Sequence, residues 1–286
     1  MQSSTEFKRM VLGLPQSAGD YPTVGMIAKL AELLHLNLVG MFMDDRSLMH
    51  IAGLPCVREL RPLSAGWQPI DINALAAELE RGAATAQRLF AAAVQNCSIE
   101  TSFRVEKGLA ADVIGALATA QDIIVVIEPR NPAERVTQQF TRLVDAAFHA
   151  AAAVMVVPSR VARIAGPIVA VAASPEDPSI AAAARLAAAV REKLVILGPS
   201  DILELASSLS SLTESIGAPV ELARLTRAPF DLITLAGDLH HWNERLVVMS
   251  RGTLKDPQAS ALASLRSIPV VITEPPSAVD VGDRER

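Results

Sequence analysis

Few residues in this chain have the type and spacing for chemistry. His240 and His241 adjoin, but neighbouring side chains on a helix point apart, and neither a CxxC nor an HExxH pattern accompanies them, so no metal is expected. Asp44 and Asp45 follow an apolar run and should end a strand at the edge of a sheet where ligands bind; capping of a loop or helix is their expected role. His35 and His149 fall at the ends of helical patterns, where an imidazolium can meet the C-terminal dipole. Glu244 and Arg245 read as a solvated rim. Cys56 and Cys97 imply free thiols in a reducing cytoplasm, and Cys97, in a helix-to-strand turn, reads as a small buried hydrophobe. The sequence has no GxSxG elbow, no Walker A loop, no GxGxxG and no pair of groups spaced for acid–base work. No catalytic residue is assigned, and the protein is not expected to be an enzyme.

One stretch stands apart from these isolated residues. The connector 44–70 is longer than loops in compact domains usually are and carries Cys56, Arg58, Arg61 and Trp67, too apolar a set for a plain linker. It is either a loop that plugs a gap between two halves or a lid or partner-binding element, with Arg58, Arg61 and Trp67 as the contact candidates.

The elements that must position these residues repeat. Asp122–Ile127 and Val154–Val157 are short β-branched apolar runs, the pattern of strands buried on both faces. Between them Val136, Phe140, Leu143, Val144 and Ala147 recur at helical spacing, which predicts a parallel βαβ unit. A second such unit is predicted from the strands 245–250 and 268–273 and the helix 258–265. Earlier in each half, a strand (10–14 and 168–172) leads to a helix with an aspartate cap and a proline in its first turn (Asp20 and Pro22; Asp177 and Pro178), then to strands 38–43 and 194–197. Ile180, Ala184, Ala187 and Val190 are expected on the inner face of the later helix. Helices are further predicted over 72–94, 109–118, 202–216 and 230–239, and strands over 99–105 and 220–225. Two halves with the same order of elements imply an internal duplication.

Composition is consistent with this plan. With 286 residues, half of them apolar and 20% charged, each half can bury a core. Alanine with only 3% aromatics suits helices packed close to a sheet. The net charge of −5 without a basic tract argues against nucleic acid, and no apolar run is long enough to cross a membrane. The opening residues have too short an apolar stretch for a signal peptide, so a cytoplasmic protein is expected.

The quoted segments resemble the universal stress proteins. Asp122–Val126 sits on that family's DLIVV strand, Thr141 on its Ser/Thr position, His149 and Ala150 on its HA pair, and Val154–Pro158 on its VLVVP end. Later, Arg245–Gly252 sits on DLIVVGSRG, retaining Ser250, Arg251 and Gly252, and Ile268–Thr273 matches the last strand. The resemblance implies an α/β fold of two tandem doubly wound parallel-sheet domains, Rossmann-like and similar to adenine nucleotide alpha hydrolases, with strand order 3-2-1-4-5 in each. The domains would be 1–160, with the connector 44–70, and 161–286, with a polar tail at 275–286. It further implies pairing of the two domains within one chain about a pseudo-two-fold axis through their last strands. A homodimer is then left to another surface, with the Trp67 connector as the candidate, and a protein partner remains to be identified.

Nucleotide-binding members of the family carry a G-x2-G-x9-G-(S/T) turn after the fourth strand, whose glycines let the backbone approach phosphates, and an aspartate at the end of the first strand. This chain departs from both. In the first half Pro15 takes the aspartate position and Ile127, Arg130 and Phe140 the glycine positions, leaving Thr141. In the second half Ala172 takes the aspartate position and Met249 the first glycine; Gly252 is present, and Asp256 falls at the third, where a carboxylate would repel phosphate. The expected function is therefore a non-enzymatic stress-response or regulatory protein that has lost ATP binding in the first domain and largely in the second, with no cofactor. The alternative is an ATP- or AMP-binding protein, with weak ATPase activity, using a residual site at Ser250, Arg251, Gly252 and Thr253.

Overall fold

The computed structural model describes residues 7–14, 21–44, 47–54, 56–61, 66–135, 137–225 and 231–273. The chain divides into two compact units, Thr5–Ala152 and Ala153–Arg286, each α/β and each built on a mostly parallel sheet. Among the described residues no helix is long and apolar enough to cross a membrane.

Thr5–Ala152 contains, in order, β1 (Arg9–Leu14), α1 (Tyr21–Leu33), β2 (Asn37–Asp44), α2 (Ser47–Ala52), β3 (Arg58–Arg61), β4 (Gly66–Pro69), α3 (Ile72–Val94), β5 (Thr101–Lys107), α4 (Ala110–Leu117), β6 (Asp122–Ile127), α5 (Pro132–Arg135) and α6 (Gln138–His149). The sheet order is β6-β1-β2-β5, and every neighbour is parallel because each connection crosses over through a helix. β6 is buried along its whole length and β1 at all but its first residue, as the β-branched runs require. α3 is capped by Asp71, whose carboxylate accepts from the Asn73 and Ala74 amides at 3.0 and 3.1 Å. Its buried face is Ala86, Phe90 and Val94. Gly40 on β2 is required by this helix, since a methyl there would stand 2.7 Å from the Phe90 ring. The sheet's amino edge is clamped by Arg9, which donates to both carboxylate oxygens of Asp122 at 2.8 and 2.7 Å. Burial alone would raise the Asp122 carboxyl, but the hydrogen bonds and charge of Arg9 and two donors from Thr119 outweigh it and hold it below the usual carboxylate range.

Ala153–Arg286 contains β7 (Ala153–Val157), β8 (Ile168–Val171), α7 (Pro178–Val190), β9 (Leu194–Gly198), a 3-10 helix (Ser200–Ser208), α8 (Leu209–Ile216), β10 (Val220–Arg224), α9 (Leu232–Leu239), β11 (Leu246–Ser250), α10 (Asp256–Arg266) and β12 (Val270–Thr273). The order is β10-β9-β8-β11-β12-β7, parallel except that β7 runs antiparallel to β12, with Val156 opposite Val270. α7 starts at the predicted Asp177 cap and Pro178, and its buried face is Ser179, Ile180, Ala182, Ala183, Leu186 and Ala187. Ala184 and Val190, expected inward, are only half-buried.

Two expectations fail here. The single helix over 202–216 is a 3-10 helix followed by α8. The serine-rich junction explains the break, since Ser hydroxyls compete for backbone groups; Ser207 donates to the Glu204 carbonyl. Glu244 is also not a solvated rim. It is fully buried, holding Arg266 through bonds of 2.8 and 3.1 Å, with the Arg163 guanidinium 3.5 Å away. Arg163 also donates to the Glu244 carbonyl at 2.8 Å, which ties residues 158–167 to this edge. Arg245 faces Glu192 at 3.6 Å, and burial lowers its pKa.

Candidate functional site

In an open parallel sheet, ligands bind beyond the carboxyl ends of the strands, where the strand order reverses. In Ala153–Arg286 that point lies between β8 and β11. Two loops meet there: 172–177, which leads from β8 into α7, and 251–255, which leads from β11 into α10.

Ser250 ends β11 and is 1% exposed. Its hydroxyl donates to Asp177 Oδ1 at 2.5 Å and lies 3.4 Å from the Thr273 hydroxyl. Asp177, 2% exposed, is the N-cap of α7. The same carboxylate accepts from the Ser179 amide at 2.9 Å and from the Ala173 amide at 2.8 Å. Ser179 in turn donates its hydroxyl to the Val171 carbonyl at 3.2 Å. The hydroxyl and amide donors that converge at the head of β8 and β11 are thus directed at an internal carboxylate. A phosphate placed here would meet a buried negative charge.

The turn beyond Ser250 is tight. The Arg251 amide continues the ladder to the Thr273 carbonyl at 3.0 Å, and the Thr253 amide donates to the Ser250 carbonyl at 3.1 Å. Gly252 has φ +86°, the left-handed region that favours glycine, and a side chain there would meet nothing within 4 Å. Its glycine serves the turn rather than a close approach. Leu254 is buried below, and the Lys255 amide donates to Gln258 Oε1 at 3.3 Å, so α10 begins without a side-chain cap from residue 255. Asp256 is the first residue of α10. The four candidates Ser250, Arg251, Gly252 and Thr253 are consecutive, with Ser250 turned inward and Gly252 exposed.

The corresponding edge of Thr5–Ala152 is built otherwise. After β6 the chain runs through the buried Glu128 and the prolines 129 and 132 to two caps: Asn131, which accepts from the Ala133 amide at 3.0 Å, and Thr137, which accepts from the Phe140 amide at 3.3 Å. Arg135 donates to the Pro129 carbonyl at 2.9 Å and braces the loop. Phe140 is half-buried, and the Thr141 hydroxyl turns back onto its own helix, donating to the Thr137 carbonyl at 3.1 Å. Pro15, Asp20, Asp45 and Val136 lie outside the described residues.

The connector is more ordered than a loop. It forms α2 and a hairpin in which Leu60 of β3 stands opposite Trp67 of β4. Trp67 is 64% exposed, and Ile51, Leu54, Leu60, Cys56 and Arg58 are exposed with it, while Arg61 ends β3. Cys97 is half-buried rather than buried, and burial together with the nearby Glu32 charge pushes its thiol up, which keeps it protonated. The His240 and His241 rings stand edge to face with centroids 5.9 Å apart, and His149 Nδ1 lies 2.7 Å from the Asp145 carbonyl.

Sequence reasoning found Asp177 as a helix cap and Ser250 as a candidate, but not their contact, which joins residues 73 positions apart. Thr273, at the end of β12, carried no signal beyond its place in a strand.

No protein-family model and no curated protein matches the chain. Among solved structures, a universal stress protein from Archaeoglobus fulgidus is similar over 96% of this chain and 98% of its own, with a TM-score of 0.66 at 11% identity. A functionally unknown protein from Pseudomonas aeruginosa, at 14% identity, covers 96% of this chain and 95% of its own with a TM-score of 0.46. The cytoplasmic domain of a prokaryotic cation chloride cotransporter, at 11% identity, covers 93% and 95% with a TM-score of 0.48. The first of these likenesses places the fold with that of universal stress proteins over most of the chain; at such identity it concerns the fold alone.

Proposed function

We propose that this is a tandem, universal-stress-protein-like regulatory or stress-response protein of the cytoplasm, non-enzymatic and without a bound cofactor, which acts through protein contacts. The strand order β10-β9-β8-β11-β12 supports the 3-2-1-4-5 reading of residues 161–286, and β6-β1-β2-β5 supports the same order for the first four strands of residues 1–160. The antiparallel pairing of β7 with β12 supports a last-strand pairing of the two repeats within one chain.

The observation that carries the reading is the engagement of Ser250 with the buried Asp177. The Ser250 hydroxyl at the head of the turn faces a carboxylate of its own chain, and the prolines and caps after β6 leave no glycine turn in the first repeat. The exposed Trp67 and Leu60 of the connector hairpin, with Arg58 and Arg61 at the two ends of β3, are the surface we assign to a protein partner.

A second reading has one observation in its favour: the open, positive-φ backbone at Gly252 beside the start of α10. It would place ATP or AMP at Arg251, Gly252 and Thr253. Thermal unfolding with ATP, ADP and AMP plus Mg²⁺, on the natural chain and on Gly252→Glu, separates the two. We expect no shift with any nucleotide. A ligand at 100 times its Kd stabilises a one-site protein by about 2.7 kcal/mol, and a shift of that kind abolished by Gly252→Glu would replace our reading with the second.

A further inference from the structure

β5 is the outer strand of the Thr5–Ala152 sheet: its partner among the described residues is β2, and it contains no proline over seven residues. A long unprotected edge of this kind is a template for another strand. Its backbone polarity follows from the ladder. The Glu100 carbonyl accepts from Leu38 and the Gly108 amide donates to Asp44, so the even-numbered residues of this segment face β2. A parallel ladder engages alternate residues, so Thr101, Phe103, Val105 and Lys107 direct their N–H and C=O groups outward.

The side chains on that edge complement themselves. A two-fold axis relating two copies of an antiparallel strand pair stands perpendicular to the sheet and preserves its faces, so it must pass through a residue and not between two. Centring it on Arg104 or on Glu106 sets like charges directly opposite each other. Centring it on Phe103 leaves Glu106 and Lys107 without strand partners. Centring it on Val105 sets Arg104 opposite Glu106 twice, and Phe103 opposite Lys107. The charged pairs then fall at non-hydrogen-bonded positions, where facing side chains approach most closely. Val105, 44% exposed, meets its own copy on the axis. Among the described residues no intrachain hydrogen bond or ion pair engages the side chains of Arg104 and Glu106. The edge strand of the Ala153–Arg286 sheet, β10, lacks this property. Glu221 there is already paired with Lys193, and an axis through Leu222 would set Glu221 opposite Ala223 and Val220 opposite Arg224.

We propose that two copies of this chain associate through β5, antiparallel and centred on Val105, with the two Arg104–Glu106 pairs fixing the register. This surface is separate from the connector hairpin and does not depend on how nucleotides are handled.

The test is sedimentation velocity of the full chain across a concentration series. The natural protein is expected to reach twice the monomer mass, less readily at high salt. Arg104→Glu and Glu106→Arg should each weaken self-association at least about tenfold. An equimolar mixture of the two single variants should dimerise again, because each supplies the charges the other lacks, and the double variant should behave as the natural chain. Val105→Pro, which removes an outward N–H and no bond to β2, should be monomeric with the circular dichroism of the natural protein. A natural chain that stays monomeric overturns the proposal. So does a dimer indifferent to the charge variants, or one lost in Trp67→Ala, which would place the contact on the hairpin.

Discussion

The carboxyl edges after β6 and after β11 occupy equivalent places in their sheets and are closed by different physics. After β11 the chain turns in five residues about a positive-φ glycine, and the hydroxyl of Ser250 is bound by a carboxylate from the neighbouring crossover. After β6 it takes ten residues to reach α6, stiffened by prolines and ended by local caps within two or three residues of the amides that donate to them. One edge depends on contacts distant in sequence, the other on contacts near in sequence. Local caps at one edge and a distant carboxylate at the other thus arrive at the same outcome, hydroxyl and amide donors engaged by the chain's own groups. The amino edges differ in the same sense. Asp122 meets one arginine across two adjacent strands, whereas Glu244 is sealed between Arg266 and Arg163 from separate segments.

The largest effect should come from the amino edges. Glu244→Ala leaves the Arg266 guanidinium, with a side chain only 12% exposed, and the part-exposed Arg163 without their fully buried anion and should cost about 3–5 kcal/mol in urea unfolding. Asp122→Ala should cost less, about 1–3 kcal/mol, because Arg9 is 29% exposed against 12% for Arg266 and water can replace its partner. Equal losses would show that the two clamps do not differ in kind.

The carboxyl edges come next. Asp177→Ala removes a cap and leaves the Ala173 amide and the Ser250 hydroxyl without their acceptor, at about 2–3 kcal/mol, and should accelerate hydrogen exchange in both α7 and β11. Thr137→Ala should cost about 1 kcal/mol and speed exchange only in the first turn of α6. If the Asp177 variant disturbs α7 alone, the edge after β11 is as local as the other.

The smallest effect is a pH dependence. Asp122 titrates lower in the folded than in the unfolded chain, so its contribution is fully present above the unfolded carboxylate range and is lost as pH falls through its folded value. Asp122→Asn should therefore flatten the acid limb of the stability profile and leave its neutral shape unchanged. An unchanged acid limb would show that the Arg9 clamp does not set it.

Much of this molecule is decided by local sequence. β-branched runs became buried strands, because only a parallel sheet covered on both faces accommodates them. α3 took the predicted span 72–94, with Asp71 as its cap, because capping and periodicity act within one turn. The order of elements implied crossover connections and hence parallel neighbours. The absence of glycine from residues 128–137 after β6 and the presence of Gly252 after β11 were legible for the same reason, since a residue's backbone freedom belongs to that residue. The serine-rich stretch was local too, but its hydroxyls compete with the helix, and period alone does not register that. What tertiary structure alone decided are the side-chain pairings between residues far apart in sequence: Ser250 with Asp177, and Glu244 with Arg266 and Arg163. Each depends on which strands become neighbours, and composition and spacing carry no record of a partner 73 residues away. Ser250 is sealed because the neighbouring crossover helix begins with an aspartate at its side.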